Sequence, residues 1–250
     1  MANLIYNTLI TIALIIYFFL ILPFIAVSLI VFIPSRFISP SKESFYVKLI
    51  NKVPVLYEIH TLICTYPVWE KRFNNVPLPT GRVLHLACGT GLGAITISSK
   101  ANMLIGLDIN RKFLLYGKQR GRLKNPVAGS VYLLPFKNRQ FDSVIILVSL
   151  HHLHSLSSLF FECKRVMNKN AALTIFDPVS LKNRTKSLWN TFHDGIIWKF
   201  DKDTIQKEVR EQAKKCNFKI VSVRFFRTRS LQNFNLFYNM GDIVIQLKNI

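Results

Sequence analysis

The residues with the clearest chemical meaning lie in residues 81–108, where closely spaced glycines precede a lone acid. We predict these elements in order: a strand over residues 83–87, a glycine-rich turn, a helix over about residues 92–100 and a strand over residues 103–107. Because glycine has no Cβ, such a turn can adopt unusual backbone angles and let a ligand approach its main chain. Asp108 ends the second strand, where a carboxylate can accept two hydrogen bonds from a ribose diol. The stretch therefore predicts half of a nucleotide-binding unit for a ribose-bearing ligand.

The spacing of the turn leaves the ligand open. Gly89, Gly91 and Ala94 also satisfy the dinucleotide pattern G-x-G-x-x-G/A, and a glycine turn alone is a weak signal. A membrane-tethered NAD(P)-dependent oxidoreductase is therefore one alternative.

Longer motifs favour a different family. ACGTG followed by GLDIN resembles class I S-adenosylmethionine-dependent methyltransferases. LLPFKNRQFDSVIILVSLHHL resembles the segment around the third and fourth strands of their small-molecule branch, which includes ubiquinone/menaquinone methyltransferases, and FFECKRVMNKNAALTIFDP resembles that branch's next helix and fifth strand. The resemblance covers about residues 82–178. It implies an α/β fold with a seven-stranded Rossmann-like sheet, S-adenosyl-L-methionine as cofactor and methyl transfer as the reaction.

The resemblance also implies a cofactor site built from the turn and the ends of neighbouring strands. Its residues are His85, Ala87, Cys88, Gly89, Gly91, Asp108, Ile109, Ser130, Val131 and Leu147. Family members usually carry an acid at the position of His85, which helps hold the amino group of the cofactor, and a glycine at the position of Ala87. The usual acid after the third strand is also absent, and Ser130 could offer a hydroxyl instead. These departures keep a second alternative open, a non-catalytic membrane protein on a degenerate methyltransferase scaffold.

Three histidines follow a long apolar run over residues 141–150, which is typical of a central parallel strand. His151, His152 and His154 would lie at the carboxyl end of that strand, where doubly wound sheets bind ligands. We predict His151 and His152 as candidate catalytic residues, a base or a substrate contact. A structural role is the competing interpretation for each. No acid or cysteine clusters with them in the sequence, so we predict no metal site.

The amino terminus predicts a membrane anchor. Residues 1–35 contain no charged side chain, and residues 8–33 are almost wholly apolar. As a helix this run would extend roughly 39 Å, enough to span a hydrocarbon core of about 30 Å. A cleaved signal peptide is disfavoured because basic residues do not precede the run and no small-residue cleavage site follows it. A hairpin that turns at Pro23 and dips into one leaflet stays an alternative.

Basic residues follow the anchor and predict a single-pass protein with a cytosolic catalytic domain: Arg36, Lys42, Lys48 and Lys52. We predict three parts, an anchor over residues 1–35, a juxtamembrane or cap segment over residues 36–80 and a methyltransferase domain over residues 81–250.

Charge favours anionic partners, because 33 basic residues against 13 acidic ones give a net charge of +20. Residues 111–124 contain six basic residues and no acid, so we expect either a solvated face or attraction to anionic headgroups. Nucleic acid is disfavoured because no aromatic-rich recognition motif accompanies the charge.

The four cysteines form no C-x-x-C pair and are expected to be free thiols. The predicted acceptor is a lipid or another hydrophobic small molecule, such as a quinone.

The carboxyl-terminal part predicts two closing strands. In residues 218–227 the sequence alternates, which would place Ile220, Ser222, Arg224 and Phe226 on one face and Val221, Val223 and Phe225 on the other. Residues 242–248 give the last short strand.

Overall fold

The computed structural model describes residues 52–58, 76–180, 202–227 and 240–250. Contacts divide the chain into residues 1–50 and 51–250, and every described residue belongs to the second unit. The predicted anchor and most of the cap segment lie outside the described residues. Within the described ranges, no helix combines the length and apolar character that crossing a bilayer requires.

Seven strands form one sheet. They are β1 (Gly81–Leu86), β2 (Ala101–Asp108), β3 (Asn125–Ala128), β4 (Phe141–Leu147), β5 (Met167–Ser180), β6 (Phe218–Arg227) and β7 (Met240–Asn249). Their order is β3-β2-β1-β4-β5-β7-β6. Neighbouring strands are parallel from β3 to β5, whereas β7 runs antiparallel to both β5 and β6. The predicted seven-stranded Rossmann-like α/β sheet is confirmed.

The helices cover both faces of the sheet. They are α1 (Leu92–Ile97), α2 (Arg111–Gln119), α3 (Leu156–Val166) and α4 (Lys202–Lys215). Successive residues of β4 alternate between the two sides: Val144 and Ile146 pack in the core that includes α3 and α4, and Ile145 and Leu147 pack in the cluster that includes α1. Burial on both faces explains why β4 reads as an unbroken apolar run.

Several predicted boundaries are wrong in detail. The helix predicted to extend to about residue 100 ends at Ile97 and continues as a 3-10 turn, Ser98–Lys100. The apolar run predicted as one strand to residue 150 leaves the sheet at Leu147, and Leu150–His152 form a second 3-10 turn.

The alternation predicted for β6 is also wrong. The pairing with β7 shifts between Ile220 and Ser222, so Val221 bulges outward and is 58% exposed. Beyond the bulge the faces exchange, and Val223 and Phe225 pack against the same core as Ile220. One extra residue in a strand has this effect because side chains alternate with a period of two.

The sheet order predicts a ligand site at the carboxyl ends of β1 and β4. The chain order reverses there, since β1 continues to β2 on one side and β4 to β5 on the other, and ligands of open α/β sheets bind outside the carboxyl ends of strands at such a point. The common dinucleotide-binding order is 3-2-1-4-5-6. An antiparallel β7 between β5 and β6 departs from that order and weakens the oxidoreductase alternative.

Candidate functional site

The glycine turn joins β1 to α1 at the carboxyl edge of the sheet. Its backbone is left-handed at three positions, with φ of +49° at Ala87, +55° at Gly89 and +77° at Gly91. The Gly91 N–H donates to the Cys88 carbonyl at 2.9 Å, which closes the turn. Glycine takes such angles readily, whereas Ala87 carries a Cβ where left-handed backbone costs about 1–2 kcal/mol. This backbone conformation explains why family members usually carry glycine here, and alanine at position 87 lowers the stability of the turn.

Asp108 reaches the turn from the end of β2. Its Oδ2 accepts from the Gly89 N–H at 2.8 Å, and its Oδ1 accepts from the Asn110 N–H at 2.8 Å. Burial raises the pKa of this carboxyl, and the N–H groups of Asn110, Gly89 and Ile109 oppose that rise. A carboxylate has about four acceptor positions, so it can still accept from two ligand hydroxyls. The geometry fits a ribose diol.

His85 lies on β1 beside the first turn of α1, and it is 1% exposed. A Cβ at Gly93 would lie 3.3 Å from its Cε1. Neither ring nitrogen has a hydrogen-bond partner among the described residues, and burial lowers the pKa of the ring from 6.5 to about 4. Thr90 Oγ1, in the turn itself, is likewise buried and without a partner in the described part of the chain. A buried orphaned polar atom costs about 1–3 kcal/mol, so both side chains suit a site whose polar ligand would satisfy them.

The other predicted cofactor residues differ in accessibility. The side chain of Ile109 is 79% exposed, and that of Ser130 is half-buried. Val131 and Leu147 are buried in the hydrophobic core. Cys88 is also buried, and burial together with the charge of Asp108 raises the pKa of its thiol. The structure thus brings Ile109 and Ser130 to the surface, whereas Val131, Leu147 and Cys88 could offer a ligand only their backbone. Their roles in cofactor binding stay predictions.

The three histidines after β4 have three different environments. His151 is buried, and its Nδ1 lies 3.1 Å from both carboxylate oxygens of Asp177. His152 is exposed, with its ring centroid 4.0 Å from that of His151. His154 Nδ1 lies 3.2 Å from the hydroxyl of Tyr132, which also accepts from the His154 main-chain N–H at 2.8 Å. Across the described ranges, no group of three or more His, Cys, Asp or Glu side chains is placed to hold a metal ion.

Asp177 orients His151. It lies on β5, is fully buried, and accepts from the main-chain N–H groups of Leu150 at 3.2 Å and His151 at 3.1 Å. A carboxylate in this position favours the tautomer of a neutral His151 in which Nδ1–H donates to it and Nε2 is the acceptor atom. Two residues earlier, the Ser149 hydroxyl shares its proton between two carbonyl oxygens, that of Ala87 at 3.0 Å and that of Leu147 at 2.9 Å. One short segment therefore ties the His151–Asp177 dyad to the glycine turn.

Asp177 is not among the site residues predicted from the sequence, and its pairing with His151 was not identified there. The available signal was an acid at the carboxyl end of the strand that follows the histidines. Tyr57, which is also not among the predicted site residues, lies against the turn: its hydroxyl oxygen would be 3.4 Å from a Cβ at Gly89.

We expect Gly91→Ala to lower the free energy of unfolding more than Gly121→Ala. Both glycines are left-handed, with φ of +77° and +72°, so both variants carry similar backbone strain. A Cβ at Gly91 would lie 2.7 Å from Leu123 Cγ, whereas one at Gly121 meets nothing within 4 Å. The additional loss for Gly91→Ala should be about 1–3 kcal/mol in urea unfolding. Equal losses would contradict the close packing of the turn on Leu123.

Residues 84–175 match the family model described as a methyltransferase domain. A demethylmenaquinone methyltransferase of Thermotoga maritima is 26% identical over 154 residues, which cover 58% of this chain and 67% of that protein. A demethylmenaquinone methyltransferase of Corynebacterium glutamicum is 31% identical over 110 residues, which cover 43% of this chain and 47% of that protein. The chain thus spans between about half and two thirds of the length of these relatives.

Among solved structures, a S-adenosylmethionine-dependent methyltransferase of Thermotoga maritima superposes with a TM-score of 0.59 at 15% identity, covering 82% of this chain and 100% of that one. At this identity the likeness shows the fold. Together with the domain match and the names of the relatives, it confirms the predicted enzyme class, a S-adenosylmethionine-dependent methyltransferase, and its cofactor.

Proposed function

We propose that this chain, a S-adenosylmethionine-dependent methyltransferase, methylates a quinone-like hydrophobic acceptor at a membrane. The names of the two relatives support this class of acceptor. One observation carries the proposal: Ser149 ties the glycine turn to the segment that holds the His151–Asp177 dyad. A cradle for the cofactor and a candidate base thus share one edge of the sheet.

The residues present fit the cofactor. Asp108 would accept from its ribose hydroxyls, and the backbone of the glycine turn would face its methionine part. His85, neutral at pH 7, would accept a hydrogen bond from the amino group in place of the usual acid. Ile109 would lie beside the adenine, and Ser130 would offer its hydroxyl. When bound, S-adenosylmethionine supplies a methyl group that is already activated by its bond to a sulfonium sulfur.

We assign the role of base to His151. A ring hydroxyl of the acceptor would give its proton to Nε2 of His151, and Asp177 would stabilise the resulting imidazolium through the Nδ1–H group. Loss of that proton makes the acceptor ring a stronger nucleophile. His152, exposed beside His151, would contact the acceptor. The remaining task of the site is alignment of the two reactants, which can contribute about 7–11 kcal/mol.

Membrane association is part of the same proposal. Residues 8–33 are almost wholly apolar, and residues 111–124 carry six basic side chains without an acid. Arg111, Lys112 and Lys118 on α2 are exposed. Basic residues close to an anionic bilayer contribute about 1 kcal/mol each. Both features favour an acceptor that resides in the bilayer. The basic residues that follow the apolar run favour a catalytic domain on the cytosolic side: Arg36, Lys42, Lys48 and Lys52.

Alkaline carbonate extraction tests the membrane part. When membranes from cells that produce the full chain are extracted, the protein should stay in the membrane pellet, because a spanning helix resists extraction. Release into the supernatant would contradict a spanning anchor and leave surface attraction alone.

A transfer assay tests the acceptor. Full-length protein with methyl-labelled S-adenosylmethionine would be offered a reduced demethylated naphthoquinone, a phosphoethanolamine lipid or a small thiol. We expect label on the naphthoquinone, with His151→Gln much slower. Label only on the lipid or thiol would overturn the quinone-like acceptor, and cofactor binding without transfer to any of them would favour the non-catalytic scaffold.

A further inference from the structure

A partly buried ion pair joins residues 52–58 to the loop that follows α2. Arg122 donates from both terminal nitrogens to the Glu58 carboxylate, Nη1 to Oε1 and Nη2 to Oε2, the latter at 3.2 Å. The side chains of Glu58 and Arg122 are 6% and 16% exposed. A two-pronged contact of this kind fixes the orientation of both partners as well as their separation. It therefore holds residues 52–58 in one place against the core.

The residue before Glu58 contacts the cofactor turn. The ring of Tyr57 packs on Phe113 of α2 with ring centroids 4.6 Å apart. Its hydroxyl oxygen and two ring carbons would lie within 3.9 Å of a Cβ at Gly89. The ion pair thus fixes an aromatic side chain within van der Waals distance of the position that a Cβ at Gly89 would occupy.

The residue after Arg122 contacts the same turn. Three side-chain atoms of Leu123 would lie between 2.7 and 3.3 Å from a Cβ at Gly91. Both partners of the ion pair are therefore adjacent in sequence to a residue that packs on the turn, Tyr57 at Gly89 and Leu123 at Gly91. Breaking the ion pair would therefore alter how Tyr57 and Leu123 pack on the turn.

We propose that Tyr57, Glu58 and Arg122 form a latch that holds the bound cofactor in the turn and slows its release. The latch rests on the proposed function, because it requires S-adenosylmethionine in the turn. Tyr57 contacts the ligand site, and Glu58 and Arg122 are positioning residues that act through Tyr57. With the ion pair broken, residues 52–58 are no longer fixed over the turn, so dissociation of the cofactor accelerates more than association slows.

A charge exchange in the full-length protein tests the latch, with S-adenosylmethionine and S-adenosylhomocysteine as probes. We expect Glu58→Arg and Arg122→Glu each to weaken binding about tenfold, mainly through faster dissociation. The double variant Glu58→Arg/Arg122→Glu should recover most of the loss, since it restores opposite charges in the same place. Tyr57→Leu should weaken binding although it leaves the ion pair intact.

A second readout does not depend on turnover. The Tyr57 N–H donates to the Val53 carbonyl at 3.2 Å, so hydrogen exchange at this amide reports on residues 52–58. Adding cofactor should slow exchange in the wild type and have less effect in Glu58→Gln. Asp142→Asn is the matched control, because Asp142 also holds a partner, the Arg82 N–H at 2.9 Å, but at the amino end of β4. Its cofactor affinity should stay within about twofold of the wild type.

The outcomes separate the latch from the proposed function. Wild-type protein that binds no S-adenosylmethionine would overturn the proposed function and the latch together. Wild-type binding that Glu58→Gln and Tyr57→Leu both retain, with unchanged dissociation rates, would overturn the latch alone. If the charge-reversed single variants do not fold, the dissociation rates of Glu58→Gln and Tyr57→Leu test the latch instead.

Discussion

Asparagine in place of Asp177 is expected to lower kcat by about 10²–10⁴-fold, the range that a positioned base contributes. The amide has one acceptor oxygen in place of two, so its NH2 group would face Nδ1 of His151 or a main-chain N–H, and it cannot stabilise an imidazolium by charge. The proton of the ring would move to Nε2, the atom that must receive the proton of the acceptor. Single-turnover kinetics with the naphthoquinone acceptor would measure the loss.

Two controls distinguish catalysis from folding in this experiment. His154→Gln changes a histidine of the same segment that bonds to Tyr132, so its kcat should stay close to that of the wild type. Cofactor affinity of Asp177→Asn should stay within about twofold, because the carboxylate bonds to His151 and Leu150 and not to the turn. An unchanged kcat in Asp177→Asn would refute the role of His151 as the base.

The wild type is expected to lose about 2 kcal/mol of stability through His85 alone between pH 7.5 and pH 5. Burial lowers the pKa of His85 from 6.5 to about 4 in the folded protein. The unfolded chain therefore takes up a proton as pH falls below about 6.5, and the folded chain does not. The contribution of neutral His85 is fully present above that pH and is lost progressively toward about pH 4. Urea unfolding at several pH values measures it.

His85→Leu isolates this effect. Carboxyls with shifted pKa values, among them Asp108, Asp142 and Glu162, are present in both proteins, so their titration cancels in the difference. Leucine leaves no orphaned ring nitrogen, so the variant should be at least as stable as the wild type at pH 7.5 and less sensitive to acid. It should also bind S-adenosylmethionine more weakly if His85 accepts from the amino group. Parallel pH curves for the two proteins would contradict a buried, neutral His85.

The turn and its acid were predictable because their signals are local. Apolar runs separated by Gly89 and Gly91 specify strand, turn and helix within about 30 residues, as in other βαβ units. Asp108 then falls at the end of β2 by chain continuity alone. The family resemblance adds the ligand, which local spacing left open.

The dyad and the latch were missed because they depend on distant pairing. Asp177 meets His151 only because β5 lies beside β4, and the two residues are 26 positions apart. Glu58 and Arg122 are 64 positions apart and belong to segments without a motif. The bulge at Val221 likewise arises from pairing with β7, and strand alternation within one segment cannot indicate it.

The consequences of the departures at His85 and Ala87 are also visible only in the folded structure. The family resemblance marks them as unusual, but it cannot show that Ala87 is left-handed or that both nitrogens of His85 are orphaned in the described residues. Both residues lie in or beside the turn, where a loss of stability is compatible with a gain in ligand binding.

Calorimetric binding of S-adenosylmethionine to the wild type and to Asp108→Ala tests the central claim most directly. We predict a dissociation constant of about 1–100 µM for the wild type and a loss of at least about 100-fold in the variant, since two hydrogen bonds to a charged group disappear. No binding at millimolar cofactor by folded wild-type protein would contradict the cofactor site. Equal binding by Asp108→Ala would contradict the role of Asp108 as the ribose ligand, and preferential binding of a nicotinamide dinucleotide would return the oxidoreductase alternative to first place.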